Sequence, residues 1–203
     1  MLKYKRQKFL IRKAVSAGDV IQVQRFIACG GKVQRHCSRA LVNEVRAGNV
    51  GAVSVFIRAG VDYAYGGHSA FRYALMFGHL EIAKILVAAG VSVANLPFDP
   101  MRLAVTFGYP EIIKLLLANG ARIAFGDFTM LDLTVENALN ISTSPPYGTT
   151  EEVWTACVDV LLDHSLGWPL SPSEAEQVAK RVAQFEPCKA KARAWLAHYI
   201  GRP

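Results

Sequence analysis

Several things are scarce in this 203-residue chain, and each scarcity excludes a class of function. There are four cysteines, at 29, 37, 157 and 188, with no Cys-x-x-Cys pair. A chain of this length with a good core needs no disulfide staples, so reduced, mostly buried thiols are expected. Cys29 with His36 and Cys37, or Cys157 with His164, lacks a fourth ligand, so no metal is indicated. No apolar run reaches the roughly 18 residues of a membrane span, because Ile82 to Val93 is broken by Lys84 and Gly90. The basic start, Met1 to Lys8, is followed only by Phe9-Leu10-Ile11 before Arg12-Lys13, short of the ~7 apolar residues of a secretory core. These absences point to a cytoplasmic protein without a membrane partner.

Catalytic patterns are missing too. No Gly-x-Gly-x-x-Gly or Gly-Lys-Ser/Thr occurs, which argues against nucleotide binding. No Ser, Cys or carboxylate has a base placed beside it by spacing, and Asp159 with Asp163 one turn later reads as the wet face of a helix. The reading is therefore no enzyme, no catalytic residue, no cofactor and no small-molecule substrate; an enzyme of unrecognised type is the weakest alternative. Charge is scarce at 19%, against 52% hydrophobic residues, so the chain can bury enough apolar surface to fold throughout. Acid is scarcest at the start: residues 1–60 hold 12 Lys/Arg against only Asp19 and Glu44, a net +10, whereas the remainder carries −3. The chain is a charge dipole with a basic N-terminal half.

What is abundant is a period of thirty. Gly18, Gly48, Gly78 and Gly108 form one glycine column, and Gly30, Gly60, Gly90 and Gly120 a second. Apolar files run between them: Phe26, Phe56, Leu86, Leu116; Ile27, Ile57, Val87, Leu117; Val23, Val53, Ala83, Ile113. Upstream, Ile11, Leu41, Phe71, Met101 and Leu131 are followed one helical turn later by Val15, Val45, Leu75, Val105 and Val135. Each unit reads as a helix, a glycine turn, a second helix and a glycine cap. Neither helix can hide its apolar face alone, so neighbouring units must stack.

The segments Gly78-His79-Leu80-Glu81-Ile82-Ala83-Lys84-Ile85-Leu86-Val87-Ala88-Ala89-Gly90 and Pro110-Glu111-Ile112-Ile113-Lys114-Leu115-Leu116-Leu117-Ala118-Asn119-Gly120-Ala121 resemble the second helix of ankyrin repeats. The resemblance implies an all-α, ankyrin-like solenoid of stacked helix-turn-helix repeats, with His79 in a structural position. It covers residues 9–124 well and reaches about 165 in degraded form. The expected organisation is a basic N-terminal segment 1–8, repeats at about 9–36, 37–66, 67–96, 97–126 and 127–165 with an insertion at 140–151, and capping helices in 166–203. In the last region Ser171-Pro172-Ser173-Glu174 supplies an N-cap and capping box for helices at about 172–185 and 188–200. Family units usually run to 33 residues. The three missing here fall where the family carries its projecting hairpin, which implies shortened fingers with little or no β structure.

By the same resemblance the stripe Arg39, Asn43, Arg46, then Ser69, Tyr73, Met76, then Asp99, Leu103, Thr106 lines a concave binding face. The fingers carry Arg35, His36, Tyr65, His68 and Phe98, and Phe77 and Phe107 face the groove or pack between repeats. Tyr65, Tyr73 and His68 are expected to be exposed. Lys13, with the run Lys3, Lys5, Arg6, Lys8 and Arg12, either keeps the first repeat soluble or steers an acidic partner. The leading function is binding another protein, as an inhibitor or adaptor gripping an acidic or mixed surface. With no effector domain attached, an inhibitor is favoured, as in small stand-alone ankyrin proteins of bacteria and viruses that act in host–pathogen or phage–host contests. The rival is nucleic-acid binding through the basic half. One structural expectation is sharper: Glu44 stands in a column of inward alanines, Ala14, Ala74 and Ala104, and a buried carboxylate would need Arg12 or Arg72 across the stack.

Overall fold

The computed structural model describes residues 2–29, 31–121, 133–137, 150–165 and 171–200, which are helical with no strand among them. Most of the expected insertion (140–149), the start of the fifth unit and Gly201 lie outside these residues. The chain divides into two compact units, residues 1–98 and 99–203.

The first unit holds α1 (Leu2–Ser16), α2 (Val20–Ala28), α3 (Gly31–Arg46), α4 (Val50–Arg58), α5 (Tyr65–Met76) and α6 (Leu80–Ala88), then a 3-10 turn at Val93–Asn95. Each odd helix packs on the even helix that follows it. The odd helices α1, α3 and α5 also pack in order on one another, as do α2, α4 and α6, giving two layers. The repeating apolar files explain the layers: Ile11, Leu41 and Phe71 are at most 1% exposed, and Val23, Val53 and Ala83 are fully buried. Burial of a side chain of that size contributes roughly 1.5–3 kcal/mol.

The turns repeat as closely as the core. Gly18, Gly48, Gly78 and Gly108 have φ of 69°, 70°, 70° and 69°, a left-handed conformation that costs a residue with a Cβ about 1–2 kcal/mol. In each turn the next residue donates its N–H to a carbonyl one turn back: Asp19 to Ala14, Asn49 to Glu44, His79 to Ala74 and Tyr109 to Ala104, at 2.9–3.0 Å. That next residue then splits the repeats into two kinds. Asp19 and Asn49 cap α2 and α4 by accepting from the N–H groups of Gln22 and Ala52, whereas His79 and Tyr109 make no side-chain cap and present a ring.

Two boundaries depart from the expected ones. The basic segment 2–8 is the first half of α1, because Lys and Arg are good helix formers and neither Gly nor Pro occurs between residues 2 and 17. Helix α3 begins at Gly31, six residues before the expected repeat edge, so the chain enters α3 directly where a finger was expected. Arg35 and His36 therefore lie on α3, and Tyr65 and His68 on the first turn of α5; of the expected finger residues, Phe98 alone is in a loop. With the hairpin residues absent, the chain is too short to do more than step from one repeat to the next.

The second unit holds α7 (Pro100–Thr106), α8 (Pro110–Ala118), a helical stretch at 133–137, α9 (Glu151–Ser165), α10 (Pro172–Val182), a 3-10 turn at Glu186–Cys188 and α11 (Lys189–Ile200). Helix α9 packs on α8, and α10 on α11. The capping box is formed in full: Ser171 Oγ accepts from the Glu174 N–H, and the Glu174 carboxylate accepts from the Ser171 N–H. The Ser171 hydroxyl, which donates to the same carboxylate at 2.7 Å, and then the Ser171 N–H hold the Glu174 carboxyl below its usual pKa. Helix α11 is tied to α9 by Trp195 Nε1, which donates to the Leu162 carbonyl at 3.1 Å. Lys191 pairs with Asp159 at 3.0 Å and Asp163 at 3.6 Å, so the carboxylates read as a wet face have a structural partner. Cys37, Cys157 and Cys188 are buried and Cys29 is exposed, all four as free thiols.

Candidate functional site

The residue that gathers the site is Tyr73, in the last turn of α5. The Arg46 guanidinium, from the last turn of α3, lies 5.1 Å from its ring centroid, and that of Arg72 lies 5.8 Å away. One turn on, Phe77 stacks on Tyr73 with centroids 6.0 Å apart and planes at 14°. His79 follows Phe77 at 6.0 Å. Two cations and three rings thus form one file, with the ring quadrupoles holding the guanidinium groups at about 0.5–1 kcal/mol each. Nearer the N-terminus of α5, Tyr65 Oη accepts from Arg39 Nε at 3.3 Å. Arg39, Asn43 and Arg46 are spaced four and three residues apart, so they stand on one face of α3, and all three are exposed.

Glycine matters to this file at one point. A Cβ at Gly48 would sit 2.9 Å from His79 Cε1, so the bare backbone of one turn is what admits the ring from the next repeat. At Gly18, whose φ is 69°, no such neighbour lies within 4 Å.

The expected binding residues are distributed unevenly. Arg39 and Tyr65 meet, as do Arg46, Tyr73 and Phe77, while Met76 is half-buried one turn beyond Arg72. Tyr65, Tyr73 and His68 are half-buried, which corrects the expectation that they stand exposed. Tyr73 is covered by two arginines and a phenylalanine, and His68 packs against Tyr63 at 6.4 Å with its Nδ1 buried and unbonded. Phe77 is 39% exposed, an unusual position for a ring of its size. Arg35 is exposed on α3 and Phe98 half-buried in its loop. Lys13 is exposed on α1 and lines two clefts, one with Leu10, Asp19 and Gln22 and another with Arg12, Glu44 and Asn49. In the second unit Phe107 is half-buried and stacks on Tyr109 at 6.3 Å, the counterpart of Phe77 on His79.

A second feature adjoins Arg39. Helices α1 and α3 enclose a cleft of about 150 Å³ in which Lys8, Arg12, His36, Arg39, Asn43 and Glu44 meet over an apolar floor of Ile11 and Ala40. Glu44 makes no ion pair with Arg12 or Arg72. It is half-buried and accepts from Asn49 Nδ2 at 3.0 Å, which corrects the expected cross-stack salt bridge. A short amide donor five residues away in the same repeat satisfies the carboxylate without ordering a long cationic chain. Sequence reasoning also passed over Arg72 as a ring partner and Lys8 and Arg12 as cleft residues; the i, i+4 spacing of Lys8 and Arg12 was the signal available.

A profile of ankyrin repeats, in three copies, matches residues 11–127, more than half of the chain. Together with the layered helical hairpins and left-handed glycine turns, that match places the chain in the ankyrin-repeat family. Ankyrin repeats generally serve as protein–protein interaction modules and are typically non-enzymatic. No curated protein and no solved structure matches the chain. Among the described residues no helix is long and apolar enough to cross a membrane.

Proposed function

We propose that this chain binds another protein, as an inhibitor or adaptor, and that the partner meets it with an acidic or mixed surface along the stripe of Arg39, Arg46, Tyr73 and Phe77. The observation that carries the reading is the Arg46–Tyr73–Phe77 file: cations and rings held together at a surface, with no carboxylate paired to the arginines among the described residues. Arg and Tyr dominate binding hot spots because they bring large contact area for little lost freedom. The half-buried state of Tyr73 supports this, since a ring already held by its neighbours loses less entropy on binding. The basic half would steer an acidic partner inward at low salt.

The test is capture from the native cell with three forms of the chain: wild type, Arg39→Glu with Arg46→Glu, and Tyr73→Ala with Phe77→Ala. One protein partner, lost at least tenfold by both double variants while circular dichroism is unchanged, is the expected result. Capture by both variants at wild-type level overturns it. Loss with the charge reversal alone would point to nucleic acid instead, if affinity for generic duplex also fell on the order of 10³-fold between 50 and 200 mM salt.

A further inference from the structure

The cleft between α1 and α3 has a positive charge that the described residues offset only in part. Three cationic side chains, Lys8, Arg12 and Arg39, line it against one carboxylate, Glu44, so two positive charges are in excess. Among the described residues neither Lys8 nor Arg12 has a hydrogen-bond or ion-pair partner, and Arg39 is engaged only through Nε, leaving its terminal nitrogens available. Glu44 is held from outside this group by Asn49. Four lysines of the fold, Lys84, Lys114, Lys189 and Lys191, do pair with a carboxylate, at 2.6–3.2 Å. All three cleft cations are exposed, so water and salt screen their mutual repulsion, but an anion seated among them would be attracted by each.

We infer that this cleft is a binding site for a phosphate monoester. Charge selects the class. A monoester carries about −1.5 to −2 at neutral pH, which matches the excess, whereas a carboxylate would leave one positive charge over. Donors match as well: three acceptor oxygens can meet the Arg12 and Arg39 guanidinium forks, the Lys8 ammonium and the Asn43 amide, and arginine takes phosphate oxygens in pairs. Size sets the limit. A volume of about 150 Å³ exceeds the ~30 Å³ share of one water but falls short of the ~300 Å³ at which whole small-molecule ligands are accommodated. The cleft therefore takes the phosphate group and leaves what carries it outside, where α3 continues toward Arg46 and Tyr73. The phosphate is either borne by a side chain of the protein partner, an assignment that rests on the proposed function, or free in solution; the affinity of the cleft for it is independent of that choice.

The experiment is calorimetric titration of the full chain, at pH 7.5 and constant ionic strength, with inorganic phosphate and with a blocked pentapeptide, Ala-Ala-X-Ala-Ala, carrying phosphoserine or glutamate at X. Saturation of one site by the phosphate probes, at least tenfold tighter than by the glutamate peptide, is the expected result; a tighter phosphopeptide identifies a partner-borne source and tighter inorganic phosphate a free one. Arg12→Gln with Arg39→Gln lowers that affinity at least tenfold with the melting curve retained, and Glu44→Gln raises it severalfold, a gain that a merely structural carboxylate would not produce. Tyr73→Ala with Phe77→Ala leaves the phosphate titration unchanged, so a failure of the protein-binding reading is recorded separately by partner capture. Equal binding of the glutamate and phosphoserine peptides, absence of saturation by either phosphate probe, or undiminished binding by the folded double arginine variant overturns the inference.

Discussion

In residues 99–203 Lys114 meets Glu111, Lys189 meets Glu186, and Lys191 bridges Asp159 and Asp163. In residues 1–98, by contrast, Lys84 with Glu81 is the one such pair among the described side chains; Arg46 and Arg72 lie over a ring, Arg39 holds a phenol, and Lys8 and Arg12 share a cleft. The contrast follows from composition, since the first sixty residues supply only two acids and both act as local acceptors, Asp19 for a helix cap and Glu44 for Asn49. A cation that finds a carboxylate in its own fold has little left to offer a partner. Where none is within reach, as at Arg46 and Arg72, the cation lies over a ring instead.

The comparison can be broken first at the core. Phe71→Ala, at a residue 1% exposed, is expected to cost about 3–5 kcal/mol in chemical denaturation, against about 1 kcal/mol for Phe77→Ala, whose 39% exposed ring is held mainly by its stack on Tyr73. A large cost at Phe77 would make that ring a packing residue and remove it from the binding face.

A smaller effect separates two turns of equal conformation. Gly18→Ala should cost about 1–2 kcal/mol from its left-handed backbone alone. Gly48→Ala should cost more, because the new methyl must also displace the His79 ring at 2.9 Å. Equal costs in thermal melts would mean that the ring moves freely and does not anchor Phe77.

Smaller still are the ion pairs. Lys114→Ala and Lys84→Ala break exposed pairs and should each change stability by about 0.5 kcal/mol or less, with no change in partner capture. Arg46→Ala should be equally mild in the melt yet weaken partner binding several-fold. A melt in which Arg46→Ala is clearly the more damaging would show that the cation–ring file serves stability rather than recognition.

The thiols give the smallest signal. Burial raises the Cys157 pKa to about 12; Cys37 rises to about 11, from burial and then from nearby Cys29, and Cys188 to about 11, from burial and then from Asp159. Under native conditions near pH 8 a thiol reagent should therefore label one cysteine rapidly, the exposed Cys29, and the other three only on opening. Because these folded-state values lie above the ordinary 9, the stability the neutral thiols contribute is complete below pH 9 and is lost as pH rises toward 11 to 12. Rapid labelling of four equivalents at pH 8 would contradict that burial.

Much of this architecture was legible in the residue order because a repeat states each instruction several times. A glycine every thirty residues, with an apolar file on either side, can satisfy both spacings only as a hairpin of helices stacked on its own copies, and the left-handed turns and buried files follow. The capping box at Ser171 and Glu174 was equally readable, since its groups lie three residues apart. Side-chain partnerships were not. Glu44 had two cross-stack arginines and one nearby asparagine as candidates, and the local partner prevailed. Lys13 belongs to the same basic run as Lys8 and Arg12, yet it is not among the residues that line the cleft those two share with Arg39.

The order of residues, then, determined helix, turn and layer, because backbone hydrogen bonding and burial of a periodic apolar face act over one turn or one repeat. Folding in three dimensions decided which cations gather with which rings, and that a cleft with two uncompensated positive charges exists at all. Those outcomes depend on distances of a few ångströms between helices that sequence separation does not encode.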